Sequence, residues 1–141
     1  MRISQKTLDE FTEHFSSYYT VRAIEMLFDG EDIHFDAEYD PQVSGARRTT
    51  VKRYYKTLDF TKSADIKKIL RVFELALMEL DVRMSSRHED YLEKDKHRLT
   101  LFLKRDGIIY QDGRLQIPGT VVSLEKLDSL AESLNIPSLK V

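Results

Sequence analysis

A chain of 141 residues, 41% hydrophobic and 33% charged, has the size of one domain and is too apolar to be a disordered one. It contains no cysteine, which excludes disulfides and thiolate metal sites. The opening MRISQKTLDEF has no signal-peptide core, and no run approaches the roughly 18 apolar residues of a membrane span, so a cytoplasmic protein without membrane contact is expected.

The formal net charge of −2 conceals a polarised chain. Residues 1–40 carry ten acids and three bases, whereas residues 41–71 carry nine bases and only Asp59 and Asp65 as acids. Two readings follow. The segments face each other within the fold, or one or both form an interaction surface.

Thr7 and Glu10 have capping-box spacing, with Ile3 placed to pack on the first turn of a helix carrying Leu8, Phe11, Phe15 and Tyr18 on one face. Ser16-Ser17 and Tyr18-Tyr19-Thr20 mark a bend. Val21, Ile24, Leu27 and Phe28 resume the helical period until Asp29-Gly30, where the glycine suits a left-handed C′ position. His14 and His34 stand apart from other ligand types and read as solvent-exposed. From Glu31 to Ser44 the period fails, leaving an acidic arm with Glu31, Asp32, Asp36, Glu38 and Asp40. Its spacing fits no EF-hand loop, so a solvated arm is expected and no bound metal.

Ser44 is placed to cap the next helix, which buries Val51, Tyr54, Tyr55 and Leu58. Arg48, Lys52 and Lys56 line its opposite face, with Arg53 beside them and Arg47 at the edge. Ser63 is placed to cap a helix running to Met84, and Lys67, Lys68 and Arg71 extend the positive charge onto it. In that helix Ile66, Ile69, Leu70, Val72, Phe73, Ala76, Leu77 and Leu80 make an apolar arc wider than a surface helix needs. Leu75, Met78 and Val82 lie outside the arc. The stretch is the expected central, buried helix.

Ser86 and Glu89 give a second capping-box spacing, opening a helix to about Asp106 with Tyr91, Leu92, Leu99, Phe102 and Leu103 on one face. Asp95 falls inside that arc and is expected to pair with a neighbouring Lys or Arg. Gly107 ends the helix. Asp112-Gly113 is a type I′ hairpin signal, with Ile109, Leu115 and Ile117 as inward positions and Pro118-Gly119 closing the unit. Ser123 then caps a last helix carrying Leu124, Leu127, Leu130 and Leu134.

The expected fold is mainly α, with about six helices around a central buried helix and one C-terminal β-hairpin. It is a single domain over 1–141: acidic N-terminal helices and arm (1–40), core helices plus hairpin (41–120) and a C-terminal helix (121–141). A helix running into a hairpin resembles the last helix and wing of a winged-helix domain. The basic residues Arg47, Arg48, Lys52, Arg53, Lys56, Lys67, Lys68 and Arg71 are the candidate interaction surface, for protein or for nucleic-acid phosphates.

Arg83 and His88 match the R-x4-6-H spacing of HEPN ribonucleases. With eleven arginines and four histidines, roughly one such match is expected by chance. No other catalytic pattern stands out, so the chain reads as non-enzymatic, without metal or cofactor.

The segments Arg47 to Asp59, Lys67 to Glu74 and Leu103 to Ile117 together resemble the helical N-terminal domain of AbiJ-type abortive-infection proteins, over roughly residues 20–120. The resemblance implies a non-catalytic module of bacterial anti-phage defence, contacting an effector or a phage component. Such modules precede an effector such as a HEPN nuclease. This sequence ends at Val141 without room for one, so an excised domain or an effector encoded elsewhere is expected.

Overall fold

The computed structural model describes residues 2–87 and 89–117. It is mainly helical: α1 (Gln5–Tyr18), α2 (Val21–Asp29), α3 (Ala46–Tyr55), α4 (Ser63–Ser86) and α5 (Asp90–Arg105), then the hairpin strands β1 (Ile109–Gln111) and β2 (Arg114–Gln116). The expected Pro118-Gly119 closure and the helix from Ser123 lie outside the described residues, as does His88.

α4 is the centre. Every residue of its expected arc is buried, and Phe73 stacks on Phe11 of α1 with ring centroids 3.8 Å apart. α1 also packs on α3 and α5, α2 packs on α3, and the hairpin closes against α4 and α5. The helix runs two residues beyond Met84: the Arg87 N–H bonds the Arg83 carbonyl at 2.8 Å, and the Ser85 and Ser86 hydroxyls fold back onto the carbonyls of Val82 and Arg83.

Most caps differ from those expected. Ser4, not Thr7, caps α1, with its hydroxyl accepting from the Thr7 N–H. Thr7 is instead buried and donates to the Asp106 carboxylate at 2.6 Å. Asp106 also accepts from the Ser4 N–H at 2.9 Å, so an acid from the end of α5 sits on the positive end of the α1 dipole. Gly45 and Lys62 occupy the N-cap positions of α3 and α4 without a side-chain cap, in place of Ser44 and Ser63. Ser86 belongs to α4, and Glu89 is the N-cap of α5. Gly30 is right-handed at φ −62°, and the left-handed residue is Asp32 at φ 57°. The turn is displaced because the Ile33 N–H returns to the Phe28 carbonyl, burying Ile33.

The bend at Tyr19 and the stop at Gly107 are as expected. Thr20 caps α2 through the Ala23 N–H. Gly107, at φ 84°, completes a Schellman motif: its N–H reaches the Lys104 carbonyl while the Ile108 N–H reaches that of Leu103.

In the hairpin, Asp112 and Gly113 both have positive φ (52° and 76°), the type I′ geometry, and Gln111 pairs with Arg114 across them. Leu115 and Ile117 point inward, but Ile109 does not. It pairs across from Gln116 and is only half-buried, whereas Ile108, one residue earlier, is fully buried. The expected strand phase at Ile109 was therefore off by one, which in a period-2 element exchanges the faces.

Candidate functional site

The basic residues singled out by sequence meet groups of their own chain. Arg48 on α3 grips Glu13 of α1 with two parallel bonds of 2.7 and 2.8 Å. This fork geometry is the strong form of an arginine–carboxylate pair, and it holds the Glu13 carboxyl below its usual range. Lys52 lies 3.8 Å from Asp9, and Arg47, although exposed, donates to the Ser16 carbonyl. Arg53 donates to the Tyr39 carbonyl at 2.8 Å and sits over the Phe35 ring, while Lys56 lies over the Tyr39 ring. On α4, Lys67 is half-buried in the first turns and Lys68 donates to the Asp32 carbonyl. Arg71 pairs with Glu74 and lies 3.9 Å from Glu31.

The two charged segments thus face each other within one molecule, α1 against α3 and the arm against α3 and α4. The arm is not merely solvated: Asp36 N–H donates to the Arg53 carbonyl, and Thr57 donates to the His34 carbonyl. His34 is exposed, as expected. Among the described residues, no group of three or more His, Asp or Glu side chains is placed to hold a metal ion.

His14 corrects the sequence reading. It is buried, not solvent-exposed, and its Nδ1 pairs with Asp95 of α5. Asp95 therefore takes a histidine from another helix instead of a neighbouring Lys or Arg. Tyr18 and Tyr19 pack their rings around the imidazole, and burial pushes the Tyr19 hydroxyl up to about 12. The clue was available: His14 lies between Phe11 and Phe15 on the apolar side, and Asp95 lies inside the apolar arc of its own helix. Two polar residues intruding on two apolar faces are natural partners. Asp95→Ala, which leaves the imidazole buried and unpaired, is expected to cost about 1–3 kcal/mol in a urea melt. A loss under about 0.5 kcal/mol would show the pair to be energetically idle.

A buried acid also went unforeseen. Glu74 of α4 accepts the Leu115 N–H of β2 at 2.8 Å while holding Arg71. Lys96 of α5 bonds Asp81 of α4 at 2.6 Å, and Asp81 also accepts from the Tyr110 hydroxyl. Arg98 of α5 forks onto Glu10 of α1 at 2.6 and 2.8 Å. These pairs join elements, and their role is architectural.

Among the described residues, the outer side of α5 faces outward. Leu101 is 45% exposed and sits between two adjoining shallow depressions, one shared with Ile109 and Tyr110 and the other with Phe102. Lys94, His97 and Lys104 rim it. Sequence reading passed over Leu101 because it is out of phase with Leu92, Leu99 and Leu103. An apolar residue in the wrong phase was the signal.

Tyr91, expected on the buried face, is half exposed and stacks on Tyr18 at 6.1 Å. Arg83 is paired with Glu79 at 3.5 Å; its sequence partner His88 is outside the described residues. No helix among the described residues is long and apolar enough to cross a membrane. Compared with known protein families, with curated proteins and with solved structures, the chain matches none.

Proposed function

We propose that this chain is a non-catalytic protein-interaction domain, an adaptor of a bacterial abortive-infection system that contacts an effector or a phage component. The observation supporting an interaction role is the outer face of α5: an exposed Leu101 with Phe102, Ile109 and Tyr110 around it and a polar rim of Lys94, His97 and Lys104. An apolar centre with a charged rim is the anatomy of a protein contact surface. The defence assignment rests on the similarity of Arg47–Asp59, Lys67–Glu74 and Leu103–Ile117 to the abortive-infection domain. The basic stripe of α3 and α4 is the weaker candidate surface. A partner there would have to compete with Glu13, Asp9 and the arm for Arg48, Lys52 and Arg53.

A winged-helix reading draws on one specific observation. α5 runs directly into the hairpin, and Lys104, Arg105 and Arg114 are all exposed along that unit.

One set of measurements separates these readings. In the native host, deletion of the gene is expected to raise phage plating, and wild type to restore protection. Leu101→Asp should fail to restore it while melting within about 0.5 kcal/mol of wild type, as a surface change does. Plating indifferent to the deletion would remove the defence role. A Leu101→Asp chain that protects fully would remove the α5 surface. Nanomolar duplex-DNA binding that falls steeply with salt, and is lost in Lys104→Glu with Arg105→Glu, would replace both with the winged-helix reading.

A further inference from the structure

The charges on α5 are sorted by sign between its inner and outer sides. Asp95 turns inward onto the buried His14, and Asp106, just past the helix end, bonds Ser4 and Thr7. Lys94, Arg98, Lys104 and Arg105 stay exposed. Arg98 is matched by Glu10, but Lys94, Lys104 and Arg105 have no carboxylate partner among the described residues. The two depressions beside Leu101, of about 300 and 590 Å³, are lined by one described acid, Glu93. The outer face is therefore apolar at its centre and cationic at both ends.

Its spacing is regular. Lys94, Leu101 and Lys104 stand at i, i+7 and i+10, one stripe along the helix, with about 15 Å of rise between the two lysines. The aromatic rings next to Leu101 already hold cations. Arg98 and Arg105 lie 5.5 and 5.8 Å from the centre of the Phe102 ring, and Lys96 lies 5.4 Å from that of Tyr110. An incoming lysine or arginine would meet like charge there, whereas an incoming carboxylate meets the opposite sign.

We propose that this face binds an acidic amphipathic segment of a partner protein. One large apolar side chain of the segment fills the depressions against Leu101. Carboxylates on either side of it meet Lys94 at one end and Lys104 with Arg105 at the other. This occupant rests on the reading of α5 as a contact surface and adds the partner's chemistry to it. Nucleic acid fits less well, since phosphate-binding surfaces are more polar than one centred on an exposed leucine. A second copy's acidic arm is poorly placed to serve, because its Phe35 already packs on Tyr54 and carries Arg53 over its ring.

Peptide display on the full chain tests this without a known partner. A random-peptide library is panned on the wild-type chain after depletion on Leu101→Asp, and the enriched peptides are synthesised and titrated. They are expected to carry Asp or Glu on both sides of a large apolar residue. Leu101→Asp should weaken their binding roughly tenfold or more, and so should Lys94→Glu combined with Lys104→Glu. The double reversal should in turn prefer the same peptides with lysine in place of their acids, a gain that damage to the fold could not produce. Enriched peptides that are neutral or basic, yet need Leu101, would overturn the acidic partner and leave α5 as a contact surface. No enrichment over Leu101→Asp would overturn both. Duplex DNA bound more tightly than any enriched peptide would assign the face to nucleic acid, and self-association lost in Leu101→Asp would assign it to a second copy.

Discussion

Phe73→Ala is expected to lower the unfolding free energy by about 3–5 kcal/mol. Phe73 is fully buried at the middle of α4 and lies nearly parallel to Phe11, at an interplanar angle of 10°. Removing the ring takes away its own transfer energy and the stacking partner of Phe11. It also leaves a cavity between two helices that other contacts hold in place. Glu13–Arg48 and Glu10–Arg98 fix α1 to α3 and α5, so α1 cannot simply settle onto α4 to fill the void. Incomplete collapse is what moves such substitutions toward the upper end of their range. Urea melts of the two proteins measure the difference, and a loss below about 1 kcal/mol would show that Phe73 is not at the centre of the core.

Glu74→Ala is expected to cost about 2–4 kcal/mol. Breaking a buried ion pair by removing one partner typically costs about 3–5 kcal/mol, because the other is left desolvated and unpaired. Here the figure is smaller because the Arg71 side chain is 33% exposed and keeps Glu31 nearby, so solvent takes over part of its charge. The Leu115 N–H has no such relief: it is buried, and Glu74 is its acceptor. Glu74→Gln retains a carbonyl oxygen for that N–H and should cost less, about 1–2 kcal/mol. Hydrogen exchange adds a local readout, since the Leu115 amide should lose protection in the alanine variant before the rest of the hairpin. Equal losses in both variants would show that charge on Glu74, and not the bond to β2, is what stabilises the contact.

Both predictions concern the joint between α4 and its neighbours, and there the charge polarity of the chain acquires its physical meaning. The acids of residues 1–40 and the bases of residues 41–71 stitch α1, the arm, α3 and α4 together. Each exposed pair contributes little, about 0–1 kcal/mol. Their collective effect is to fix which helix face meets which. For function, the consequence is that most of the conspicuous basic residues already have partners inside the molecule, and among the described residues the outer face of α5 is the surface proposed for contact.

Features that depend on near neighbours along the chain are legible in the residue pattern. The buried arc of α4, the break at Tyr19, the stop at Gly107 and the type I′ turn at Asp112-Gly113 all follow from periodicity or backbone freedom within a few residues. Caps were less legible, since several serines and threonines compete for each helix start. Thr7 lost to Ser4 because Asp106, about a hundred residues away, claims its hydroxyl. Pairings across large separations emerge from the packed fold: His14 with Asp95, Glu74 with Leu115, Arg48 with Glu13. A polar residue on an apolar face announces that it needs a partner. Which residue answers depends on how helices cross, and that is set by the packing of the whole core.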